Sequence, residues 1–230
     1  MSMELQSNIY WLDGGASNLY LCVAEDGLTL IDTGMPGRHK LVFEKITALG
    51  YALADLKRIL ITHADIDHAG SAAVIQRETG ATVLAGPETA ELLRQGKSPK
   101  HMPRLAQFIL DRFFKYKPVP TTAIQIIHDG AELPVLNQLR ALATPGHTLD
   151  HFSFYSPATG VLFAGDALNT RNGRLNCTPK RITADQAAAT RSAIRLLDLA
   201  PALIACGHGR PMNNHSSDDL MQLYKTLREN

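Results

Sequence analysis

The sequence predicts an α/β protein in which two layers of sheet lie between outer helices. Three observations predict this fold class. The chain opens with several strand-like segments, it continues with alternating strand and helix signals, and its second half again has the order strands, helix, strand. With 230 residues, of which 45% are hydrophobic, the chain can bury a core of this size.

The first half begins as a meander of strands and continues as alternating strands and helices. Apolar runs rich in β-branched and aromatic residues predict strands over NIYWL, NLYLCVA, LTLIDTG, RILIT and ATVLAG. Apolar positions at helical spacing predict helices over RHKLVFEKITALGY, residues 69–79 and PETAELLRQG. Residues 96–120 contain four prolines and are expected to form a helical insertion with loop flanks.

The second half contains a further series of strand-like segments. These are AIQIIHDG, LNQLRALAT, HFSFYSP and GVLFAGD. A predicted helix over TADQAAATRSAIRLLDLA follows, then a strand over ALIACG and an amphipathic helix over DDLMQLYKTL. No short repeat of fixed period is present in the sequence.

Composition and charge exclude several classes of partner. Lys and Arg total 23 against 22 Asp and Glu, so the net charge of +1 provides no broad attraction for a nucleic acid. The sequence has no apolar stretch of bilayer-spanning length and no export signal, so we expect a soluble, cytoplasmic protein without a membrane partner. Three scattered cysteines fit a reducing compartment. The sequence indicates no oligomeric state.

Four short segments place histidine or aspartate after an apolar strand, where a rigid sheet can hold side chains for function. They are His63-Ala64-Asp65-Ile66-Asp67-His68, Thr144-Pro145-Gly146-His147, Gly165-Asp166 and Gly207-His208-Gly209. Neutral imidazole and carboxylate are ligands that zinc, iron and manganese accept. The four segments together therefore predict a metal site.

The first of these segments must turn from a strand into a helix. His63 and Asp65 can then project on one side of the turn. Asp67 and His68, at the start of the helix, project on another side. One loop can therefore supply ligands to two adjacent ions.

Each segment also has a plain structural interpretation. Asp67 is a suitable N-cap for the helix that follows, and Asp166 could form a turn. The glycines beside His147 and His208 could serve tight connections. Their joint occurrence at the ends of apolar strands favours the metal interpretation.

Several other residues remain open between two roles. Asp32 ends a strand and can be a turn former, an acceptor that orients a metal-binding imidazole, or both, since the two roles are compatible. His151 is either such a partner or a half-buried strand histidine, and Cys206 is a buried thiol rather than a ligand.

The remaining histidines and a basic loop have surface interpretations. Four histidines lie in helix or loop contexts and are interpreted as surface residues; they are His39, His101, His128 and His215. The polar loop after Asp166 carries Arg171, Arg174 and Lys180 and is either solvated or a wall for an anionic substrate group.

These segments together resemble the metallo-β-lactamase-fold hydrolases over essentially the whole chain. Leu30-Ile31-Asp32-Thr33-Gly34 is similar to the family's early strand and turn, and residues 62–70, 144–148, 165–166 and 207–208 are similar to its ligand segments. The resemblance implies one domain over residues 1–230, a four-layer αββα sandwich and a two-metal site at one edge of the sheets. It implies one ion held by His63, Asp65, His147 and Asp166, and a second held by Asp67, His68, His208 and Asp166.

The motif departs from the family pattern at one position. Most members have His-x-His-x-Asp-His, whereas this chain has aspartate as its third motif residue, Asp65. The extra carboxylate makes the site less positive, which weakens polarisation of a substrate carbonyl and shifts the metal preference from zinc toward iron or manganese. Flavin-dependent di-iron oxygen reductases of the same fold also carry a carboxylate there, so a redox function is an alternative.

The paired ions predict a metal-dependent hydrolase. Two metals can bridge a hydroxide, present it to the carbonyl of a small ester, thioester or lactone, and stabilise the oxyanion. Asp67 is the candidate catalytic residue because it can orient that hydroxide or shuttle its proton. We expect two divalent ions, zinc before iron or manganese, and a small-molecule substrate. The alternatives are a non-haem di-iron redox enzyme, a phosphodiesterase and a non-enzymatic metabolite sensor.

Overall fold

The structure, a computed structural model, describes residues 2–101, 103, 107–108, 112, 115–213 and 217–229. The chain divides into two compact units. Unit 1 comprises residues 1–99 and 104–127, and unit 2 comprises residues 100–103 and 128–230. Each unit consists of a main sheet with helices packed on it, so the predicted α/β class is confirmed.

Unit 1 contains a seven-stranded sheet whose strands lie in chain order. The strands are β1 (Ser2–Gln6), β2 (Ile9–Asp13), β3 (Asn18–Ala24), β4 (Gly27–Ile31), β5 (Leu56–Leu60), β6 (Thr82–Ala85) and β7 (Ile124–Ile126). β1 to β4 form an antiparallel meander, whereas β4 to β7 are parallel. The carboxyl ends of β4 and β5 therefore lie side by side at one edge of the sheet.

Among the described residues, four complete helices belong to unit 1. They are α1 (His39–Ala48), α2 (Ile66–Ala69), α3 (Ala72–Thr79) and α4 (Pro87–Gln95), with 3-10 turns at Leu53–Asp55 and Thr121–Ala123. Their apolar faces join the core of the sheet, where Ile46 of α1 and Ile75 of α3 are fully buried with Ile59 of β5. This packing fixes the loop that leads from β5 into α2.

Unit 2 contains a six-stranded sheet with the order β15-β14-β11-β10-β9-β8. Its strands are β8 (Glu132–Leu133), β9 (Leu139–Ala143), β10 (Phe152–Ser156), β11 (Val161–Gly165), β14 (Leu203–Cys206) and β15 (Met212–Asn213). Within it β11 and β14 are parallel, and the other neighbours are antiparallel. A separate two-stranded sheet is formed by β12 (Leu168–Asn169) and β13 (Asn176–Cys177).

The helices of unit 2 are α5 (Gln186–Leu197) and α6 (Ser217–Glu229), with 3-10 turns at Arg171–Gly173 and Lys180–Ile182. The Asp185 carboxylate caps α5 by accepting the backbone N–H of Ala188 at 2.9 Å. Leu196 of α5 is buried in the same cluster as Leu162 and Ile204 of the sheet. None of the described helices in either unit has the length and apolar character needed to cross a bilayer.

The predicted elements are largely confirmed, with some omissions. The sequence did not indicate β1, whose residues are mostly exposed and lack an apolar run, or the short strands β8, β12, β13 and β15. The helical insertion expected around residues 96–120 falls partly outside the described residues. Of its central part, Gln107, Phe108 and Arg112 are helical.

Candidate metal centre

The first group of site residues follows two parallel strands of unit 1. The backbone N–H of Asp32, just after β4, donates to the Leu60 carbonyl at the end of β5 at 2.9 Å. The Asp32 carboxylate in turn accepts the N–H of Thr62 at 2.9 Å. These bonds hold the segment 61–65 against the end of β4, and α2 begins directly afterwards at Ile66.

Asp32 orients the imidazole of His68 through a hydrogen bond. The Asp32 carboxylate Oδ2 lies 2.8 Å from Nδ1 of His68, and both side chains are buried. A carboxylate can only accept, so Nδ1 carries a proton, and in the neutral imidazole Nε2 then keeps its lone pair. The interpretation of Asp32 as an acceptor that orients an imidazole is confirmed. Thr33 also fixes the position of His68, because its N–H and hydroxyl both donate to the His68 carbonyl, at 2.7 and 2.8 Å.

The same carboxylate orients the imidazole of His63 indirectly, through the hydroxyl of Thr62. The Thr62 hydroxyl donates to Asp32 Oδ2 at 2.8 Å and lies 2.9 Å from Nδ1 of His63. Since its one proton goes to the carboxylate, the hydroxyl accepts the Nδ1–H of His63. Nε2 of His63 is thereby left as a potential metal ligand. This role of Thr62 could not be predicted from the sequence, because it depends on the contact with Asp32.

The loop places two carboxylates beside these two imidazoles. Asp65 Oδ2 lies 3.5 Å from Nε2 of His63, and Asp67 Oδ2 lies 3.9 Å from Nε2 of His68. The imidazole rings are 4.1 Å apart between centroids and buried, whereas the carboxylates are partly exposed. We call these four residues the unit 1 cluster. They form two imidazole–carboxylate pairs, as the spacing predicts.

Asp67 is not the N-cap of the helix. The helix α2 begins one residue earlier, so Asp65 occupies the cap position and Asp67 lies inside the first turn. Asp65 makes no side-chain cap hydrogen bond. The capping interpretation of Asp67 is therefore wrong.

Tyr116 is a further anchor of the loop that the sequence did not indicate. Its buried hydroxyl lies 3.1 Å from the carbonyl of Ala64 and 2.7 Å from that of Lys97. Burial, with a smaller contribution from the Asp65 carboxylate, raises the pKa of Tyr116 above its usual value. The phenol therefore stays protonated and donates to these carbonyls.

The second group of site residues lies in unit 2. Asp166 follows β11 and His208 follows the parallel neighbour β14, and Nε2 of His208 is 3.1 Å from Asp166 Oδ2. Nε2 of His147 lies 3.6 Å from the same oxygen, and its Nδ1 is 3.1 Å from the hydroxyl of Thr178. We call His147, Asp166 and His208 the unit 2 cluster. One oxygen of the Asp166 carboxylate thus faces two imidazoles.

His151 holds Asp166 in position. Its Nε2 accepts the backbone N–H of Asp166 at 3.0 Å, so its Nδ1 carries the proton and donates to the Thr144 hydroxyl at 2.8 Å. His151 is fully buried and lies just before β10 rather than within it. Because both ring nitrogens make these bonds, His151 orients a predicted ligand and is not a ligand itself.

The surface interpretation is wrong for two of the four histidines. His39 and His101 are half-buried; the His39 ring packs on Phe43, and the His101 ring packs edge-on against His147 with 4.8 Å between centroids. His128 is exposed, as expected, and His215 lies outside the described residues. Cys206 is buried at the end of β14, as expected of a thiol in the core.

The donor chemistry of each cluster fits a divalent metal ion. In unit 1, buried imidazoles are held with Nε2 unprotonated and beside carboxylates. In unit 2, a buried carboxylate faces the Nε2 atoms of two histidines. Nitrogen and oxygen donors of this kind suit zinc, iron and manganese, and the hydrogen bonds on Nδ1 are those that usually orient metal-binding histidines.

Comparison with known proteins shows a family match and similar sequences. Residues 12–208 match the model of a family described as the metallo-beta-lactamase superfamily. The chain is 30% identical over 207 residues to "Uncharacterized protein YobT" of Bacillus subtilis (strain 168), with 86% of this chain and 85% of that protein covered. It is 26% identical over 248 residues to "Probable metallo-hydrolase YflN" of the same organism, covering 97% and 92% of the two chains.

Two further comparisons concern function and fold. The chain is 33% identical over 131 residues to "Hydroxyacylglutathione hydrolase" of Idiomarina loihiensis, which covers 56% of this chain and 40% of that protein. Among solved structures, the metallo-beta-lactamase SMB-1 in complex with mercaptoacetic acid superposes with a TM-score of 0.75 at 22% identity, covering 100% of this chain and 93% of the other. The predicted fold type is thereby confirmed.

Proposed function

We propose that this chain, which belongs to the metallo-beta-lactamase superfamily, hydrolyses a small ester, thioester or lactone with the help of two divalent metal ions. The family and the related metallo-hydrolases support a metal-dependent hydrolase. The substrate class and the ligand set are our proposals. They are supported by the donor groups in the two clusters.

The proposed ligand set draws on both clusters. One ion would be held by His63, Asp65, His147 and Asp166, and the other by Asp67, His68, His208 and Asp166. Within unit 1, the pairing of Asp65 with His63 and of Asp67 with His68 supports this division. Within unit 2, the approach of both imidazoles to one Asp166 oxygen supports a shared carboxylate. Units 1 and 2 would then act as a single functional domain over residues 1–230.

The observation that carries the proposal is the hydrogen bonding of Asp32. One buried carboxylate sets the tautomer of His68 directly and that of His63 through Thr62. A histidine that served only packing would not need its Nε2 held unprotonated beside a second carboxylate. This arrangement is the usual support of a metal-binding imidazole.

The chemistry divides between the metal and the protein. Two bound divalent ions would supply Lewis-acid polarisation of the scissile carbonyl and would activate water at neutral pH. Asp67 lies in the first turn of α2 and is partly exposed, so its carboxylate, as a proposed metal ligand, can also orient the attacking water or shuttle its proton without being a free general base. The Asp32 and His151 hydrogen bonds fix the neighbouring groups, which limits reorganisation during the reaction.

Zinc is the first choice of metal, with iron or manganese as alternatives. Asp65 replaces an imidazole by a carboxylate, which adds an oxygen donor and makes the site less positive. Oxygen donors favour the harder ions more than nitrogen donors do. Asp65 is therefore the residue that we expect to set the metal preference.

A small acyl compound is the proposed substrate. The similarity to hydroxyacylglutathione hydrolase supports a thioester, since an acylglutathione carries its acyl group on sulfur. The net charge of +1 offers no general attraction to a nucleic acid. We propose the cytoplasm as the location, because the three cysteines are few and scattered along the chain, which suits a reducing compartment.

A redox reaction at a di-iron site is the second candidate, and the carboxylate of Asp65 is the observation that favours it. Metal analysis of the purified protein, combined with a panel of thioesters, lactones and phosphodiesters, separates the two. Zinc or manganese with turnover of a thioester or lactone supports the hydrolase. Tightly held iron without hydrolytic turnover supports the redox enzyme, and turnover of phosphodiesters alone contradicts the proposed substrate class.

A further inference from the structure

His101, which follows α4 along the chain, lies against a proposed metal ligand. His101 belongs to residues 100–103 of unit 2, although residues 1–99 and 104–127 on either side of this stretch belong to unit 1. Its ring is half-buried and packs edge-on against His147, with centroids 4.8 Å apart and ring planes inclined by 67°. A ring nitrogen of His101 lies within 4.8 Å of a ring nitrogen of His147.

This geometry is close to that of two imidazoles on one ion. Nitrogen lies about 2.0–2.1 Å from zinc, so two nitrogens in a tetrahedral site are separated by about 3.4 Å. A shift of at most about 1.4 Å, within reach of a side-chain rotation, would bring His101 from its present position to that separation. The inclined ring planes also suit two imidazoles that approach an ion from different directions.

The hydrogen bond to Thr178 fixes which nitrogen of His147 is available to a metal ion. Its Nδ1 lies 3.1 Å from the Thr178 hydroxyl, and its Nε2 is the nitrogen that faces Asp166. The ion proposed for His147 would therefore lie on the Nε2 side of the ring. Most members of the family have a histidine at the motif position of Asp65. The ion proposed for His147 would therefore have one imidazole ligand fewer here than in those members.

We propose that His101 is a third imidazole ligand to the ion bound by His147 and supplies the nitrogen donor that Asp65 replaces. The inference rests on the proposed function, since it needs a metal at this site. Such a ligand raises the affinity for zinc and offsets the preference of the additional carboxylate for harder ions. Because His101 lies outside the loop motif, the ligand set would combine a carboxylate of the motif with an imidazole from a distant segment.

The test compares zinc and cobalt binding of His101→Ala with the wild-type protein. His39→Ala is the matched control, because His39 is also half-buried and packed on an aromatic ring but lies in α1. Zinc affinity is measured by competition with a chromophoric chelator, and the cobalt-substituted protein is examined by its visible absorption spectrum. We expect His101→Ala to bind one zinc ion at least about tenfold more weakly, with an altered cobalt spectrum. Added imidazole should restore both properties in this variant.

Each other outcome contradicts the inference. If His101→Ala binds zinc and cobalt like the wild type and His39→Ala, His101 is not a ligand. If its affinity falls but the cobalt spectrum is unchanged and imidazole has no effect, His101 only packs on His147. If the wild-type protein binds two ions and only the His101 result fails, the proposed function stands. If the wild-type protein binds no ion, both proposals fail.

Discussion

The carboxylate of Asp32 lies 2.8 Å from Nδ1 of His68, although 36 positions separate them in the sequence. Parallel pairing of β4 and β5 brings the two together, and Thr62 extends the same hydrogen-bond network to His63. Two proposed ligands are thus oriented by one buried acid that is not itself a proposed ligand.

Replacement of Asp32 by asparagine tests that network. Asparagine keeps the shape and tolerates the positive φ of 57° at this position, but it presents an amide N–H where His68 now finds an acceptor. His68 then shifts its proton to Nε2 and ceases to be a ligand. We expect zinc affinity to fall about 10–100-fold with little change in melting temperature.

Asp26→Asn is the control for this variant. Asp26 lies in the same unit and pairs with Arg58 at the protein surface, away from the loop 63–68. It should therefore leave zinc affinity unchanged in the same chelator competition. Equal zinc affinity of Asp32→Asn and the wild type would show that Asp32 does not orient a ligand.

His151→Ala tests the support of Asp166. The substitution removes the acceptor of the Asp166 N–H and the partner of the Thr144 hydroxyl in a fully buried position. We expect the free energy of unfolding to fall by about 1–3 kcal/mol and zinc affinity to fall as well. Urea denaturation and zinc titration measure the two effects. His128→Ala, at an exposed position, should change neither, and an unaltered zinc affinity in His151→Ala would contradict the positioning role.

Gly146→Ala tests the packing of the loop that carries His147. Gly146 has a φ of 148°, and a Cβ atom would lie 2.3 Å from Cα of Ala189 in α5. Gly173 has a φ of 70° with nothing within 4 Å, so Gly173→Ala carries only the conformational strain. We expect a loss of about 1 kcal/mol for Gly173→Ala and at least about 2 kcal/mol more for Gly146→Ala in urea denaturation. Equal losses would show that contact with α5 does not constrain the loop.

The pH dependence of cysteine labelling tests the environment of Cys177, next to Thr178. Burial raises the pKa of Cys177 to about 11, so its thiolate is scarce at neutral pH and increases as the pH approaches that value. The labelling rate of this thiol in the native protein should rise about tenfold per pH unit between pH 8 and 10. Cys177→Ser identifies its share of the labelling. A rate that reaches a plateau near pH 9 would contradict the raised pKa.

The sequence predicted those parts of the fold that depend on local pattern. The helix α1 and the strands β3 and β11 have clear apolar periodicity or apolar runs, and their positions are confirmed. β1 was missed because its side chains are mostly exposed, so its register is set by pairing with β2 and not by a hydrophobic pattern.

In the candidate site, too, the residues that stand in local motifs could be predicted, whereas those that act through tertiary contacts could not. The histidines and aspartates of the two clusters stand in short motifs that are visible in the sequence. Thr62, Thr178 and Tyr116 act through hydrogen bonds to distant or neighbouring groups, which no spacing rule indicates. The contact of His101 with His147 joins residues 46 positions apart and depends on the fold alone.

Asp65→His tests the residue that departs from the family motif. The substitution replaces a carboxylate by an imidazole and makes the site more positive, so we expect higher zinc occupancy and a changed rate of hydrolysis. Metal analysis after growth in medium with equal zinc, iron and manganese measures the first effect. Unchanged metal content and unchanged activity would show that residue 65 is not a ligand.

Zinc stoichiometry in variants of both clusters tests the central claim most directly. Metal-free wild-type protein, His63→Ala, His208→Ala and the control His128→Ala are titrated with zinc and followed by calorimetry. The account predicts two ions per chain for the wild type and the control, and the loss or marked weakening of a site in each of the other variants, although their residues belong to different units. A wild-type protein that binds no zinc, or unchanged binding in His63→Ala and His208→Ala, would contradict it.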